Sequence, residues 1–405
     1  MIDKLRKSIV IIGGGAAGYF SAINIATKHP AYSVTILEKS DKYLSKVRVS
    51  GGGRCNVTNQ RSKPSELVTF YPRGQKKLYP VFKTFSSSDM VNWLEEKGVK
   101  THAEADQRMF PVSNSSQTII DCFVNETHRL GVKIQFNTSV KALSQRGAHW
   151  TISTKKGEIE ADKVIFATGS SASSFNILKD LGLKQTSLAP SLFTFNIVDQ
   201  RIKDLPGVSF PEVEVKIVGT KLTESGPMLI THWGLSGPAI LKLSAWGALE
   251  LQDMKYQFQI LVNFVPDHTQ EALRDTLASL KTTNPNRKTT NHPLFGLSRR
   301  FWERLCEYCE IDAEQQSGDL SKKQINKLTE ELTQGRYDVK GKSTFKEEFV
   351  TCGGIELEEI ELATFECKKF PGLYLAGEVL NIDALTGGFN FQACWSAGWI
   401  ISENI

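Results

Sequence analysis

The chain has 405 residues, 40% hydrophobic and 23% charged, with a formal net charge of +5. That length predicts two or three domains rather than one core, and the balance is that of a soluble globular protein. No apolar run approaches the roughly 18 residues a membrane helix needs, so a membrane span is excluded and a cytoplasmic protein is expected.

The N-terminal text MIDKLRKSIVIIGGG starts basic, lacks a small-residue cleavage site and runs directly into glycines, so it reads as a strand and not as a signal peptide. Ser8 to Ile12 is that strand. AAGYFSAINIATKH follows as a helix that Pro30 ends, and SVTILE is a second strand. This is a βαβ unit opening a parallel sheet. Ser88 to Lys97 and Gln117 to Leu130 read as helices, and Val132 to Gln135, Trp150 to Ser153 and Val164 to Ala167 as strands. After about Ala189 the segments SLFTFNIV, EVEVKIVG and YQFQILVNF alternate like antiparallel strands. From Asp267 to about Leu332 the text is polar and helical, with TTNPNRKTTNHP as a loop in its middle, and from about Phe349 the α/β texture returns. An inserted region with a β part and a helical part is therefore expected.

The cysteines, Cys55, Cys122, Cys306, Cys309, Cys352, Cys367 and Cys394, are odd in number and scattered, which fits a cytosolic protein with free thiols. Cys306 and Cys309 form a lone C-x-x-C in a helical segment with no second pair at zinc spacing, so a buried helix face and no metal are expected. Basic residues gather in two stretches. Arg61, Lys63, Arg73, Lys76, Lys77 and Lys83 stand against Glu66 between 61 and 83, and Lys281, Arg287, Lys288, Arg299, Arg300 and Arg304 against Glu303 between 281 and 304. They read either as solvated loops or as an anion-binding surface for RNA.

Four motifs carry chemistry. The first is Gly13, Gly15 and Gly18 around Gly14, Ala16 and Ala17: a G-x-G-x-x-G after a strand and opening a helix, with Glu38 twenty residues beyond Gly18 at the end of the next strand. The glycines allow the tight turn, the close approach of a pyrophosphate and the packing of helix on strand. The helix N-terminus offers free N–H groups to phosphate. A carboxylate at Glu38 suits ribose hydroxyls and disfavours a 2′-phosphate. The second is Ser50 to Asn56, where Gly51, Gly52 and Gly53 clear side chains from a backbone and Arg54 is a candidate phosphate partner. Cys55 there is a candidate redox thiol, set against a plain structural one. The third is the apolar strand ending in Thr168 and Gly169. The fourth is a strand ending in Gly377 and Glu378, then the Gly387-Gly388 turn that opens a C-terminal helix at Phe389 and Asn390. Glu378 suits a ribityl chain, and that helix N-terminus suits the edge of a reduced flavin.

SGGGRCNVTN, THWGLSGPAIL, VTCGGIELEEI and GLYLAGEVLNIDALTGGFNFQACWSAG occur in this order. Together they resemble the BaiN/YhiN-type flavoproteins, also described as aminoacetone oxidase family FAD-binding enzymes, over nearly the whole chain. The resemblance implies an α/β fold: a Rossmann-like, two-nucleotide-fold FAD domain (1–189 with 346–405) interrupted by a β-rich domain (190–266 with 333–345) and a small helical domain (267–332). It implies non-covalent FAD lined by Gly13, Gly15, Gly18, Glu38, Lys39, Lys46, Gly53, Arg54, Asn56, Val140, Thr168, Gly169, Gly377, Glu378, Phe389 and Asn390. The chain departs from the family pattern at Ser170 to Phe175 and at Asn381, both near the expected flavin.

A flavin-dependent oxidoreductase is the leading expectation, because the cofactor carries the chemistry and the protein positions it. No second G-x-G-x-x-G in strand-helix context exists, so NAD(P)H is expected only as a transient donor. An RNA base-reducing flavoenzyme is the alternative, and a non-enzymatic FAD-bearing sensor or scaffold a further one. His232, in the glycine-punctuated segment Thr231 to Pro238, is the candidate proton donor or acceptor, set against a structural histidine.

Overall fold

The computed structural model describes residues 6–343 and 350–405. The first five residues of the basic start and the expected boundary at 345/346 lie outside the described residues. Contacts divide the chain into two units, Met1–Leu188 with Val350–Ile405, and Ala189–Phe349.

The first unit is built on a seven-stranded sheet. Its strands, in chain order, are β1 (Ser8–Ile12), β2 (Ser33–Leu37), β3 (Lys133–Gln135), β4 (Lys163–Phe166), β5 (Ile360–Glu361), β6 (Glu366–Cys367) and β7 (Leu373–Leu375), in the spatial order β5-β6-β7-β4-β1-β2-β3. The five strands from β7 to β3 run parallel, and β6 and β5 are antiparallel additions at one edge. The near-continuous apolar text of β1 reflects burial on both faces, as parallel sheets require. Helix α1 (Ala16–Lys28) crosses from β1 to β2. α2 spans Ser45–Gly53, α3 Ser116–Arg129, and α4 Phe389–Asn404 closes the chain. α1 and α4 pack on each other, with Phe20 of α1 at the centre of an aromatic cluster. Its ring centroid lies 5.0 Å from that of Trp93 and 5.3 Å from that of Trp395. Each such fully buried aromatic contributes on the order of 1.5–3 kcal/mol.

A three-stranded β-meander precedes β4, Val140–Arg146, His149–Thr154 and Gly157–Ala161, and its middle strand contains the expected Trp150 to Ser153. Element bounds read from the sequence agree with the structure within one or two residues for β1, β2, α1 and α3. The Ser50 to Gly53 segment leaves helical geometry, with Gly51, Gly52 and Gly53 all at positive φ, so the three glycines form a turn after the helical part of α2. One reading needs correction: SLFTFNIV, read as an alternating strand, is broken, with Ser191 ending the short strand Ala189–Ser191 and Phe195–Asn196 forming another, because Leu192 at φ +60° turns the chain out of extended geometry between them.

The second unit holds a six-stranded antiparallel sheet in the order Phe195–Asn196, Gly234–Ser236, Thr223–Thr231, Ser209–Ile217, Gln257–Asn263 and Gly335–Lys340. Alternate residues such as Val213, Val215 and Ile217 point inward. They share one hydrophobic core with Leu273, Leu277, Phe301, Trp302, Leu328 and Leu332 from the helices Gln270–Thr283, Arg299–Tyr308 and Lys322–Gln334.

Candidate functional site

Register sets the site. Gln135, Leu37, Ile12, Phe166 and Leu375 stand side by side across β3, β2, β1, β4 and β7. The ladder runs one residue further: Gly13 N–H donates to Leu37 O at 2.9 Å, Ala167 N–H to Ile12 O at 2.8 Å and Ala376 N–H to Phe166 O at 3.0 Å. Four sequence-predicted segments, beginning at Gly13, Glu38, Thr168 and Gly377, therefore leave the sheet along one edge. Strand order reverses there, since the chain passes from β1 to β2 on one side and places β4 on the other. In open α/β sheets that crevice beyond the carboxyl ends is where ligands sit.

The glycines there divide by role. At Gly13 (φ +113°) a Cβ would lie 2.4 Å from Ala167 O, and at Gly18 one would lie 2.0 Å from Gly13 O, so these two permit backbone contact. At Gly15 a Cβ would meet nothing within 4 Å, so its lack of a side chain serves open space in front of α1. Gly15 caps α1 with no side-chain hydrogen bond, which leaves the first-turn N–H groups of Ala16 and Ala17 directed to that space. Gly52 and Gly53, at φ +69° and +84°, also have nothing within 4 Å of a Cβ. A glycine cradle, an uncapped helix start and a carboxylate at the end of β2 fit a dinucleotide.

Glu38 is held ready. Its Oε2 accepts from Gly14 N–H at 2.8 Å, and its Oε1 accepts from the Ser40 N–H and hydroxyl, both at 2.9 Å. Thr138 N–H donates to Glu38 O at 2.8 Å, which brings Val140, two residues on, to the same end of the sheet. Lys39 Nζ donates to Ser171 Oγ at 3.3 Å, beside Thr168 and Gly169. Lys46 from α2 pairs with Glu378 at 2.5 Å, and a Cβ on Gly169 would stand 3.4 Å from Glu378 Oε2. Gly377, at φ +78°, fits between Ala17 and Cys394, each 3.2 Å from a Cβ there.

α2 carries the chain onward to a second group. Asn56, with its amide oriented by its neighbours, donates to Thr58 O and accepts from Gly388 N–H, both at 2.9 Å. A Cβ on Gly388 would lie 2.4 Å from Thr58 O. Asn59, unremarkable in the sequence, holds the Gly-Gly turn through Gly387 O at 3.0 Å, and Tyr71 OH donates to Phe389 O at 2.6 Å. Phe389 is buried with its ring stacked 4.2 Å from Phe70, and Asn390 spends its amide on Ala384 N–H and O. Arg54 is engaged by Glu104 at 2.5 Å and lies 4.1 Å over the Phe110 ring. Cys55 is fully buried, and burial raises its thiol pKa to about 12, which favours the plain structural reading over a redox thiol. Cys306 and Cys309 are buried too, and no group of metal-ligating side chains exists among the described residues. No sequence signal marks Asn59, Tyr71 or Ser171, because each works on a segment distant in the chain.

In the second unit His232 is exposed at the tip of a hairpin. The segment read as a glycine-punctuated loop is that hairpin's turn, the strand Gly234–Ser236 and the start of helix Pro238–Trp246. The basic stretches are paired in part. Arg61 meets Glu66 at 2.9 Å, Arg73 meets the buried Asp383, and Lys77 meets Glu358. Arg299 meets Glu303 at 2.6 Å, and Lys288 meets Glu314. Arg300 and Arg304 line an open cleft of about 810 Å³ together with Asp204, Glu303, Glu307, Glu310, Asp312 and Glu314, an acid-rich setting unfavourable to phosphate. No helix among the described residues is long and apolar enough to cross a membrane.

A protein named ribosomal RNA dihydrouridine synthase, from Escherichia coli (strain K12), is 28% identical over 99% of this chain and 98% of its own length. A 3-dehydro-bile acid delta(4,6)-reductase from Clostridium scindens is 25% identical over 97% of each. Among solved structures, the 3-ketosteroid delta1-dehydrogenase of Sterolibacterium denitrificans superposes with a TM-score of 0.51 at 11% identity, covering 98% of this chain and 99% of that one, a likeness of fold alone. The family described as HI0933-like protein Rossmann domain matches residues 7–404. A match of that extent shows that the chain belongs to the HI0933-like Rossmann-domain family.

Proposed function

We propose that this chain is an FAD-dependent oxidoreductase, and more narrowly a reductase of a carbon–carbon double bond conjugated to a carbonyl. One observation carries the cofactor reading: Gly15 leaves open space in front of the uncapped start of α1, and Glu38 at the end of β2 is tied to the neighbouring Gly14. When bound, FAD supplies a two-electron donor. The protein's own groups do the rest. The first turn of α1 offers N–H groups to the pyrophosphate, Glu38 accepts the adenosine ribose hydroxyls, Lys39 and Val140 border the adenosine, and Thr168, Gly169, Lys46 and Glu378 flank the ribityl side. Asn56, Gly388, Phe389 and Asn390 shape the turn against which the flavin edge rests, and Arg54 supports Gly51 to Gly53 from behind.

The acceptor class rests on the names of two relatives. Read as chemistry, a dihydrouridine synthase and a 3-dehydro-bile acid delta(4,6)-reductase both saturate a ring double bond conjugated to a carbonyl. Such a reduction needs a proton as well as a hydride, and His232 is the donor proposed for it. NAD(P)H serves as a transient electron donor. RNA is the acceptor favoured by the first of these relatives, while the partial pairing of the basic stretches argues for fewer phosphate contacts.

The test is anaerobic. Purified protein is reduced with NADH or NADPH, then mixed with a uridine-containing RNA or a 3-oxo-4,6-diene steroid, and flavin reoxidation is followed. Heat-released FMN, or no flavin in protein made with ample FAD, ends the cofactor reading. Reoxidation by neither acceptor ends the narrower one. His232→Ala is expected to lower turnover about 10²-fold with FAD content unchanged. An unchanged turnover removes His232 from the reaction.

A further inference from the structure

We propose that Glu104 is a positioning residue for the cofactor: it holds Arg54 over the Phe110 ring and so fixes the Gly51 to Gly53 turn. This rests on the cofactor reading above, to which that turn and Arg54 belong. Three successive glycines at φ +58°, +69° and +84° are the loosest backbone a chain can offer. Gly52 and Gly53 are exposed, with nothing within 4 Å of a Cβ, so no neighbour shapes them directly. The turn is held at its ends. Gly51 rests against a wall, where a Cβ would lie 2.8 Å from both Phe110 Cε1 and Asn56 N. The Arg54 and Cys55 N–H groups both donate to Ser50 O. Arg54 then reaches back: its Nε donates to Gly51 O at 3.4 Å, and its guanidinium carbon lies 4.1 Å from the Phe110 ring centroid.

Glu104 decides where that guanidinium stands. Phe110 is fully buried on Arg108–Pro111, the middle strand of a three-stranded sheet with Thr58–Asn59 and Thr101–Ala103. Glu104 follows Thr101–Ala103 in a tight turn, its N–H donating to Arg108 O at 2.9 Å and its O accepting from Gln107 N–H at 2.8 Å. Its two carboxylate oxygens are divided between two arginines. Oε1 accepts from Arg54 at 2.5 Å and Oε2 from Arg108 at 2.8 Å. Arg108 lies over the same ring at 5.4 Å and is held separately by Asp106 at 2.6 Å. Two like charges therefore share one aromatic ring, and the carboxylate that both contact offsets their repulsion. Without it Arg108 retains Asp106, while Arg54 is left with its long contact to Gly51 and is repelled by Arg108. Arg54 and Glu104 have 35% and 27% of their side chains open to solvent, and an ion pair so placed adds little to stability. Its effect is on the direction of one side chain and, through it, on the turn.

The experiment titrates full-length apoprotein with FAD, read by flavin fluorescence and by the visible absorption of the bound flavin, with melting of the apoprotein alongside. Glu104→Ala is expected to bind FAD about tenfold more weakly, the loss of about one well-placed hydrogen bond. Its bound flavin should show an altered absorption envelope, and its apoprotein should melt within about two degrees of wild type. Removing a negative charge from the protein would by itself tighten binding of an anionic cofactor, so the direction of the change separates positioning from net charge. Glu104→Gln keeps an acceptor for Arg54 and should stay within about threefold of wild type. Arg54→Lys keeps the charge but loses the planar fork. It should match Glu104→Ala, and the double variant should bind no more weakly than Arg54→Lys alone. Equal or tighter binding by Glu104→Ala, additive losses in the double variant, or a melting temperature lowered by several degrees in step with the lost affinity overturns the role of Glu104. Wild-type protein that takes up no FAD overturns the cofactor reading itself, and this role with it.

Discussion

Glu38 accepts three hydrogen bonds from groups of its own neighbourhood, Gly14 N–H and the Ser40 N–H and hydroxyl. The carboxylate is therefore oriented before any ribose arrives. Replacing it by arginine removes an acceptor worth roughly 1.5–3 kcal/mol to a ligand hydroxyl and puts a long cation beside Gly14. Glu38→Arg is expected to lower FAD affinity by at least tenfold, read by flavin fluorescence on titration of apoprotein, and wild-type affinity in that variant would remove Glu38 from the site. Cys55 is the opposite case. Its sequence setting among three glycines and Arg54 invites a redox role, yet the side chain is fully buried with a thiol pKa pushed up to about 12. The thiolate fraction at pH 8 is then vanishingly small, and iodoacetamide should leave Cys55 unlabelled in native protein while labelling it after denaturation. The contrast shows what was legible. Glu38 follows from a spacing rule within one βαβ unit, whereas the burial of Cys55 and the hold of Glu104 on Arg54 depend on segments the local text does not contain.

At the scale of elements, the glycine turn separates folding from binding. A methyl on Gly18 would sit 2.0 Å from Gly13 O and force α1 away from β1, an overpacking cost of about 1–3 kcal/mol. A methyl on Gly15 would meet no protein atom within 4 Å. Gly18→Ala is therefore expected to lower the melting temperature of the apoprotein by several degrees. Gly15→Ala should melt like wild type and yet bind FAD at least tenfold more weakly, because its methyl enters the space the pyrophosphate needs. Apoprotein melting followed by FAD titration separates the two, and a Gly15→Ala protein with normal affinity would mean that the open space is not the cofactor's. The strands and helices flanking this turn were readable because apolar period and punctuation agree there. The hairpin at Thr231 to Gly234 was not, since its turn is His232-Trp233 and lacks the Asn-Gly or Asp-Gly signal that two-residue hairpins favour. The turn at Gly51, Gly52 and Gly53 was legible from its glycines, which all stand at positive φ, whereas the short helical part of α2 before it carries no such punctuation.

At the scale of the whole molecule, the first unit draws its sheet and its main helix pair from both ends of the chain. β4 needs β7 along its outer edge: Val164, Ile165 and Phe166 register with Leu373, Tyr374 and Leu375. α1 needs α4, whose Trp395 and Ile401 are fully buried with Phe20 and Ile23 in one core. The Rossmann class was legible from the N-terminal motif, but the pairing of β7 with β4 was only implied, because strand order in a parallel sheet is settled by packing across some two hundred residues and not by local text. A fragment ending at residue 189 would expose the outer edge of β4 with its backbone groups unpaired and would uncover Phe20, Ile23 and the apolar face of α1. Each fully buried side chain so exposed costs on the order of 1.5–3 kcal/mol, and several together exceed the 5–15 kcal/mol by which a typical domain is stable. Residues 1–189 expressed alone are therefore expected to be insoluble or to lack fixed tertiary packing, with weak near-ultraviolet circular dichroism and no retained FAD. A soluble, cooperatively melting and FAD-loaded 1–189 fragment would show that the C-terminal strand and helix are dispensable, and would overturn the dependence of the cofactor site on β7 and α4.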